Sequence, residues 1–173
     1  MTTVKSAEKV AFVTVGTTSF DAVIETVSSL PITTQLERLG YTKVILQIGR
    51  GTFEPEKISR RDFRLEYYRY KDSITEDIKQ ADLIISHAGA GSVMETLEAG
   101  KPLIVVVNEL LMGNHQIELA YQLYEDGHLQ YCTCSTLLDT LKNFDESNLK
   151  PYPKGQPENF ARFLDKAMGL SQR

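Results

Sequence analysis

Apolar residues along the chain follow a strand-like rhythm in some stretches and a helical one in others. Val10-Ala11-Phe12-Val13-Thr14-Val15 is apolar almost throughout and ends at Gly16, which predicts a first strand buried on both faces. Val23, Ile24, Val27 and Leu30 then recur at helical spacing. Pro31 breaks that helix, and Thr34-Gln35-Leu36-Glu37 reads as a capping box opening another, which stops at Gly40. Val44-Ile45-Leu46-Gln47-Ile48 predicts the second strand, ending at Gly49-Arg50-Gly51. The charged stretch from Glu54 to Arg64 follows, and its Glu54-Pro55-Glu56 loop reads as solvated surface. Leu65 to Tyr70 predicts a third, more polar strand near a sheet edge, and Ser73-Ile74-Thr75-Glu76 a second capping box before a short helix to Gln80.

Leu83-Ile84-Ile85 and Leu103-Ile104-Val105-Val106-Val107 are the clearest interior strands, with a helix predicted between them from Val93 to Ala99 and Gly100 as its C′ residue. Asn114 can cap a helix carrying Ile117, Ala120, Leu123 and Tyr124 to Gly127. His128 to Cys132 predicts a further strand, Leu137, Leu138 and Leu141 a short helix, and 157–170 a C-terminal helix behind a proline-rich connector. Strands alternating with helices predict a doubly wound, mostly parallel α/β sheet, a single Rossmann-like domain over 1–173 with residues 1–8 as a flexible lead-in. Ligands bind such sheets at the loops leaving the carboxyl ends of the strands. Here those loops are Gly16-Thr17-Thr18, Gly49-Arg50-Gly51, Ser86 to Ser92, and Asn108 to Gln116.

Bulk properties narrow the classes. A length of 173 residues suits one well-buried core, and a net charge of −4 argues against a broad nucleic-acid face. No apolar run reaches the roughly 18 residues of a membrane span, and no secretory leader is expected. Cys132 and Cys134 form a C-x-C pair with too few ligands for structural zinc, so reduced cysteines in a cytosolic setting are expected.

Chemistry concentrates in Ser86-His87-Ala88-Gly89-Ala90-Gly91-Ser92, at a strand-to-helix turn. Small residues let a phosphate approach the backbone, and the helix start offers unpaired N–H groups and a partial positive charge. A tight turn with glycines serving backbone geometry alone is the bland alternative. The turn is not a P-loop, because no Gly-Lys-Ser/Thr follows, and it is a poor dinucleotide fingerprint. Glu95 has alternative roles: it can close a capping box with Ser92, or accept hydrogen bonds from ribose hydroxyls. Asn114-His115-Gln116 can read sugar hydroxyls or merely cap a helix. No D-x-D pair occurs, so no metal is expected to clamp a diphosphate; the helix N-terminus would stabilise the leaving charge instead.

The run from His87 to Glu95, followed by Glu98-Ala99-Gly100-Lys101-Pro102 and His115-Gln116, resembles the donor-binding signature of GT-B glycosyltransferases that use UDP-sugars. Phe12 to Asp21, Gln47 to Gly51, Tyr70 to Ser73 and Ile85 to Ser92 together narrow the likeness to family 28-like enzymes, the C-terminal half of a GT-B fold. Within that family the chain is similar to catalytic subunits of the dolichol-pathway UDP-N-acetylglucosamine transferase.

The resemblance implies that Gly16, Thr17, Thr18, His87, Gly89, Ala90, Gly91, Ser92, Glu95, Asn114, His115 and Gln116 bind UDP-N-acetylglucosamine, with Glu95 on the ribose. His115 departs from the acidic residue of many relatives. The implied reaction adds a second, β1,4-linked N-acetylglucosamine to N-acetylglucosaminyl-diphospho-dolichol with inversion, without a cofactor. A membrane-anchored partner on the cytosolic face of the endoplasmic reticulum would supply the acceptor half. No general base is assigned, and His115 is the candidate to test within this chain. A non-catalytic nucleotide-sugar sensor is the alternative expectation.

Overall fold

The computed structural model describes residues 8–16, 18–108 and 115–153, with His115 and Gln116 described through their backbone. The expectations for Thr17, Asn114, the helix over 157–170 and all of the lead-in except Glu8 lie outside these residues. In chain order the elements are β1 (Val10–Thr14), α1 (Asp21–Ser28), α2 (Leu30–Arg38), β2 (Lys43–Gln47), β3 (Ile58–Ser59), β4 (Arg64–Tyr68) and α3 (Thr75–Gln80). They continue as β5 (Leu83–His87), α4 (Ala90–Glu98), β6 (Leu103–Val106), α5 (His115–Glu125), β7 (Gln130–Cys132) and α6 (Leu137–Lys142).

The strands form one sheet in the order β3-β4-β2-β1-β5-β6-β7. Every pairing is parallel except that of β3 with β4. Alternate residues of each inner strand feed opposite cores, as a period of two requires. Ala11, Val13, Leu46 and Ile85 pack with α1, α2 and α6 on one face. Phe12, Ile45, Ile84 and Val105 pack with α3, α4 and α5 on the other. Burial on both faces explains why β6 is apolar throughout and why β1 and β5 are apolar up to their carboxyl ends, where Thr14, Ser86 and His87 meet the crevice.

From β1 the chain winds outward through β2 and β4, then returns to the other side of β1 as β5. The loop leaving β1 leads to α1 on one face, and the loop leaving β5 leads to α4 on the opposite face. They part above adjacent strands and leave a crevice, the switch point at which open α/β sheets bind ligands. Thr14 pairs with Ser86 across that junction, so Gly16 and His87 stand just above it.

Several boundaries differ from expectation. Helix α2 starts at Leu30, with Pro31 in its first turn, so Thr34 to Glu37 lies inside the helix and is no capping box. Helix α4 starts at Ala90 rather than Val93, with Gly89 as N-cap. Ser92 and Glu95 therefore do not form a capping box either. Ile58–Ser59 adds a short antiparallel edge strand inside the charged stretch read as surface. Gly100 is the C′ residue of α4 at φ +72°, and a Schellman pair, Lys101 N–H to Thr96 O (3.3 Å) and Gly100 N–H to Leu97 O (3.0 Å), closes the helix.

Candidate functional site

Strand β5 carries its apolar run straight to the crevice and ends on His87. Ser86 is fully buried beneath it and donates to the His87 carbonyl at 2.8 Å. Gly89 at φ −71°, ψ 126° then turns the chain into α4. Its carbonyl accepts the first helical bond, from Val93 N–H at 3.0 Å. Gly89 supplies no side-chain cap, so the N–H groups of Ala90, Gly91 and Ser92 lack an intrahelical acceptor. They point out of the helix start with its partial positive charge, a ready anion site.

The glycines divide their work. A Cβ on Gly89 would lie 2.3 Å from His87 Cε1 and 2.6 Å from Nε2. A Cβ on Gly16, held at φ +67°, would lie 2.9 Å from the same Nε2. Both glycines therefore make room for the imidazole, which lies between the turns leaving β1 and β5. Gly91 differs, because nothing lies within 4 Å of where its Cβ would stand. Its open side is where a ligand atom can come close. Burial lowers the pKa of His87, so its ring is neutral at pH 7 and has one N–H to donate.

Buried polar groups set the neighbouring loops. Thr14 donates to Gln47 Oε1 across β1 and β2 and accepts from Gly16 N–H at 3.0 Å, which fixes the exit from β1. Thr18 Oγ1 donates to Val15 O at 2.9 Å and tightens the same turn. Gly49, at φ +61°, passes so close to this turn that a Cβ would fall 2.1 Å from Thr18 O. Asp21, the first residue of α1, accepts from Thr52 N–H and Oγ1–H through Oδ2 at 3.2 and 2.9 Å. Burial opposes its charge, yet Thr52, the Phe53 amide and Arg69 together hold its carboxyl below the ordinary carboxylate value. Arg69 ties the same loop by donating to Gly51 O at 2.8 Å and to Glu54 at 2.6 Å.

Glu95 lies well inside α4, where its Oε1 accepts a 2.8 Å hydrogen bond from Thr75 Oγ1 at the start of α3. The Thr75 hydroxyl accepts in turn from Ser73 Oγ at 2.9 Å. This link joins the loop leaving β4 to the helix that opens at Gly89. His115 and Gln116 begin α5 on the loop following β6, at the same edge of the sheet. Gly16, His87 and Gly89 are thus brought into one cluster, with Ala90, Gly91 and Ser92 above it and Thr18 against Gly49. Asp21, Arg69 and Thr75 were missed as supports. Asp21 sits in the quoted stretch Phe12 to Asp21, whereas Thr75 was hidden inside an apparent capping box.

Hollows alone would mislead. One of about 440 Å³, lined by Lys101, Pro102, His128, Lys150 and Tyr152, opens at the opposite edge, where β6 and β7 begin. A smaller one of about 230 Å³ lies on the crevice edge between Phe20, Val107, Asn108 and Cys134. Among the described residues, no group of three or more His, Cys, Asp or Glu could hold a metal ion. Among them, too, no helix is long and apolar enough to cross a membrane.

Comparison with known proteins agrees with this geometry. Residues 10–168 match the glycosyltransferase family 28 C-terminal domain. The Homo sapiens UDP-N-acetylglucosamine transferase subunit ALG13 is 63% identical over 129 residues, covering 75% of this chain and 11% of that protein. Its Saccharomyces cerevisiae counterpart is 32% identical over 193 residues, covering 91% of this chain and 95% of that one. The chain thus spans 11% of the human relative's length and nearly all of the yeast relative's. Among solved structures, the NMR structure of ALG13 superposes with a TM-score of 0.70 at 27% identity, covering 91% of this chain and 95% of that one. Acinetobacter baumannii MurG superposes with a TM-score of 0.61 at 18% identity over 97% of this chain and 47% of its own, a likeness of fold. With the match running from β1 almost to the C-terminus and the glycine turn at its switch point, the chain belongs to glycosyltransferase family 28, as the C-terminal, Rossmann-like domain of a GT-B enzyme.

Proposed function

We propose that this chain is the UDP-N-acetylglucosamine-binding, catalytic subunit of a heteromeric glycosyltransferase that adds the second N-acetylglucosamine, β1,4-linked, to N-acetylglucosaminyl-diphospho-dolichol. The observation that carries the reading is the uncapped start of α4 beside the His87 ring, at the switch point of a family 28 fold. The names of the human and yeast relatives support the donor. A diphosphate accepts hydrogen bonds from Ala90, Gly91 and Ser92, His87 donates from beside them, and Glu95 takes the ribose hydroxyls. By the family resemblance, Thr17, Thr18, Asn114, His115 and Gln116 complete the set of donor-binding residues in this reading.

Transfer proceeds by displacement at the anomeric carbon. The acceptor 4-hydroxyl oxygen forms the new bond, the bond from that carbon to the diphosphate breaks, and the hydroxyl proton passes to a general base. Charge gathering on the departing UDP is stabilised by the amides and the helix dipole, with no metal required. A GT-B site lies between two such domains, so a membrane-anchored partner on the cytosolic face of the endoplasmic reticulum supplies the acceptor half. Reconstitution tests the reading: the chain, the membrane partner and a lipid-linked acceptor give transfer together, and neither chain gives it alone. Donor binding without transfer in the complete mixture would leave a nucleotide-sugar sensor instead. Within that assay, full turnover by His115→Ala removes His115 as the base.

A further inference from the structure

Glu95 is held by a neighbour from outside its own helix. Its Oε1 accepts from Thr75 Oγ1 at 2.8 Å, and Thr75 is the first residue of α3, on the far side of β5 in sequence. A hydroxyl has a single proton to give, so donation to Glu95 fixes the rotor of Thr75. The remaining lone pairs accept from Ser73 Oγ–H at 2.9 Å, while Ser73 Oγ also accepts from Thr75 N–H at 3.2 Å. The result is a directed relay, from Ser73 to Thr75 to the carboxylate. Its base is firm, because Asp77, only 7% exposed, takes Tyr68 Oη–H at 2.6 Å and Lys71 Nζ at 3.3 Å. Those contacts pin both ends of the loop carrying Ser73.

We infer that Thr75, seated by Ser73, is a positioning residue that fixes one carboxylate oxygen of Glu95 so that the other, Oε2, is presented to a ribose diol. The inference rests on the donor reading above and adds to it a residue and a direction. An exposed glutamate free to rotate would lose rotamer entropy when it grips a sugar, whereas one already tethered loses less. Thr75 acts only through Glu95 and touches no part of the nucleotide.

The test titrates the full 173-residue chain with UDP and with 2′,3′-dideoxy-UDP. The wild type is expected to prefer UDP. Thr75→Val, an exposed isosteric change, is expected to weaken UDP about fivefold and leave the dideoxy nucleotide unchanged, the effect of one modest hydrogen bond. Thr75→Ser, which keeps the hydroxyl, restores the preference, and thermal midpoints close to wild type show that all three chains are folded. An undiminished preference in Thr75→Val overturns the positioning role while the donor reading stands. Equal weakening of both nucleotides overturns it as well, because it marks a purely structural change. A wild type that binds UDP without preferring it removes the ribose contact of Glu95, and one that binds neither nucleotide removes the donor reading itself.

Discussion

Gly16 and Gly89 matter through the imidazole of His87, whose Nε2 crowds the space that a Cβ would need at either position. Gly91 matters through space alone. Replacing it with alanine puts a methyl into open volume and favours the helix by about 0.5–1 kcal/mol, a gain of roughly 2–4 °C per kcal/mol in thermal midpoint. The same methyl occupies the approach to the free amides, so Gly91→Ala is expected to be more stable yet to bind UDP at least about tenfold more weakly. Calorimetry on one preparation reads both effects, and unchanged affinity would mean the open side is not the phosphate side. His87 gives a pH signature. Its protonated form is disfavoured in the fold, so below the ordinary imidazole value of 6.5 the unfolded chain takes up a proton that the folded chain refuses. Stability is full above 6.5 and falls as pH drops toward the folded pKa. Urea midpoints at pH 7 and pH 5.5 should separate more for the wild type than for His87→Gln, and equal separation would contradict a ring held neutral by the fold.

Among the elements, β4, α3 and α4 form the wall that carries Glu95, and one buried carboxylate, Asp77, ties α3 to the end of β4. Asp77 is paired with Lys71 and hydrogen-bonded by Tyr68, whose own pKa is driven up by burial and by that carboxylate. Tyr68→Phe leaves Asp77 with the lysine alone and is expected to cost about 1–2 kcal/mol in a denaturant titration. A variant as stable as the wild type would show the hydroxyl bond to be replaceable by water. Strands such as β1 and β6 were legible because burial on both faces leaves long apolar runs, broken in β1 only at its last residue, Thr14. Helix starts were less so. The pattern Ser-x-x-Glu occurs at Ser92 to Glu95, but Gly89 had already begun α4, and Glu95 answered to Thr75 on another element. A short-range motif cannot report a long-range competitor. Ile58–Ser59 was hidden for a related reason, since its strand character comes from pairing with β4 inside a charged segment.

Across the molecule, strand order decides where chemistry can happen. The reversal between β1 and β5 opens the crevice, and Gly16 from one side meets His87 from the other. The glycine turn and the Gly16 loop were both visible in the chain as parts of a ligand edge; that Gly16 makes room for the His87 ring became visible only once the sheet set those strands side by side. The same geometry leaves the hollow of about 440 Å³ on the wrong edge for the donor. Isotope-labelled chain titrated with UDP-N-acetylglucosamine and followed amide by amide tests the donor site most directly. Saturable shifts centred on Gly16, His87, Ala90, Gly91, Ser92 and Glu95 are the predicted result. No saturable shift, or shifts confined to Lys101, His128 and Tyr152 around the opposite hollow, would contradict it.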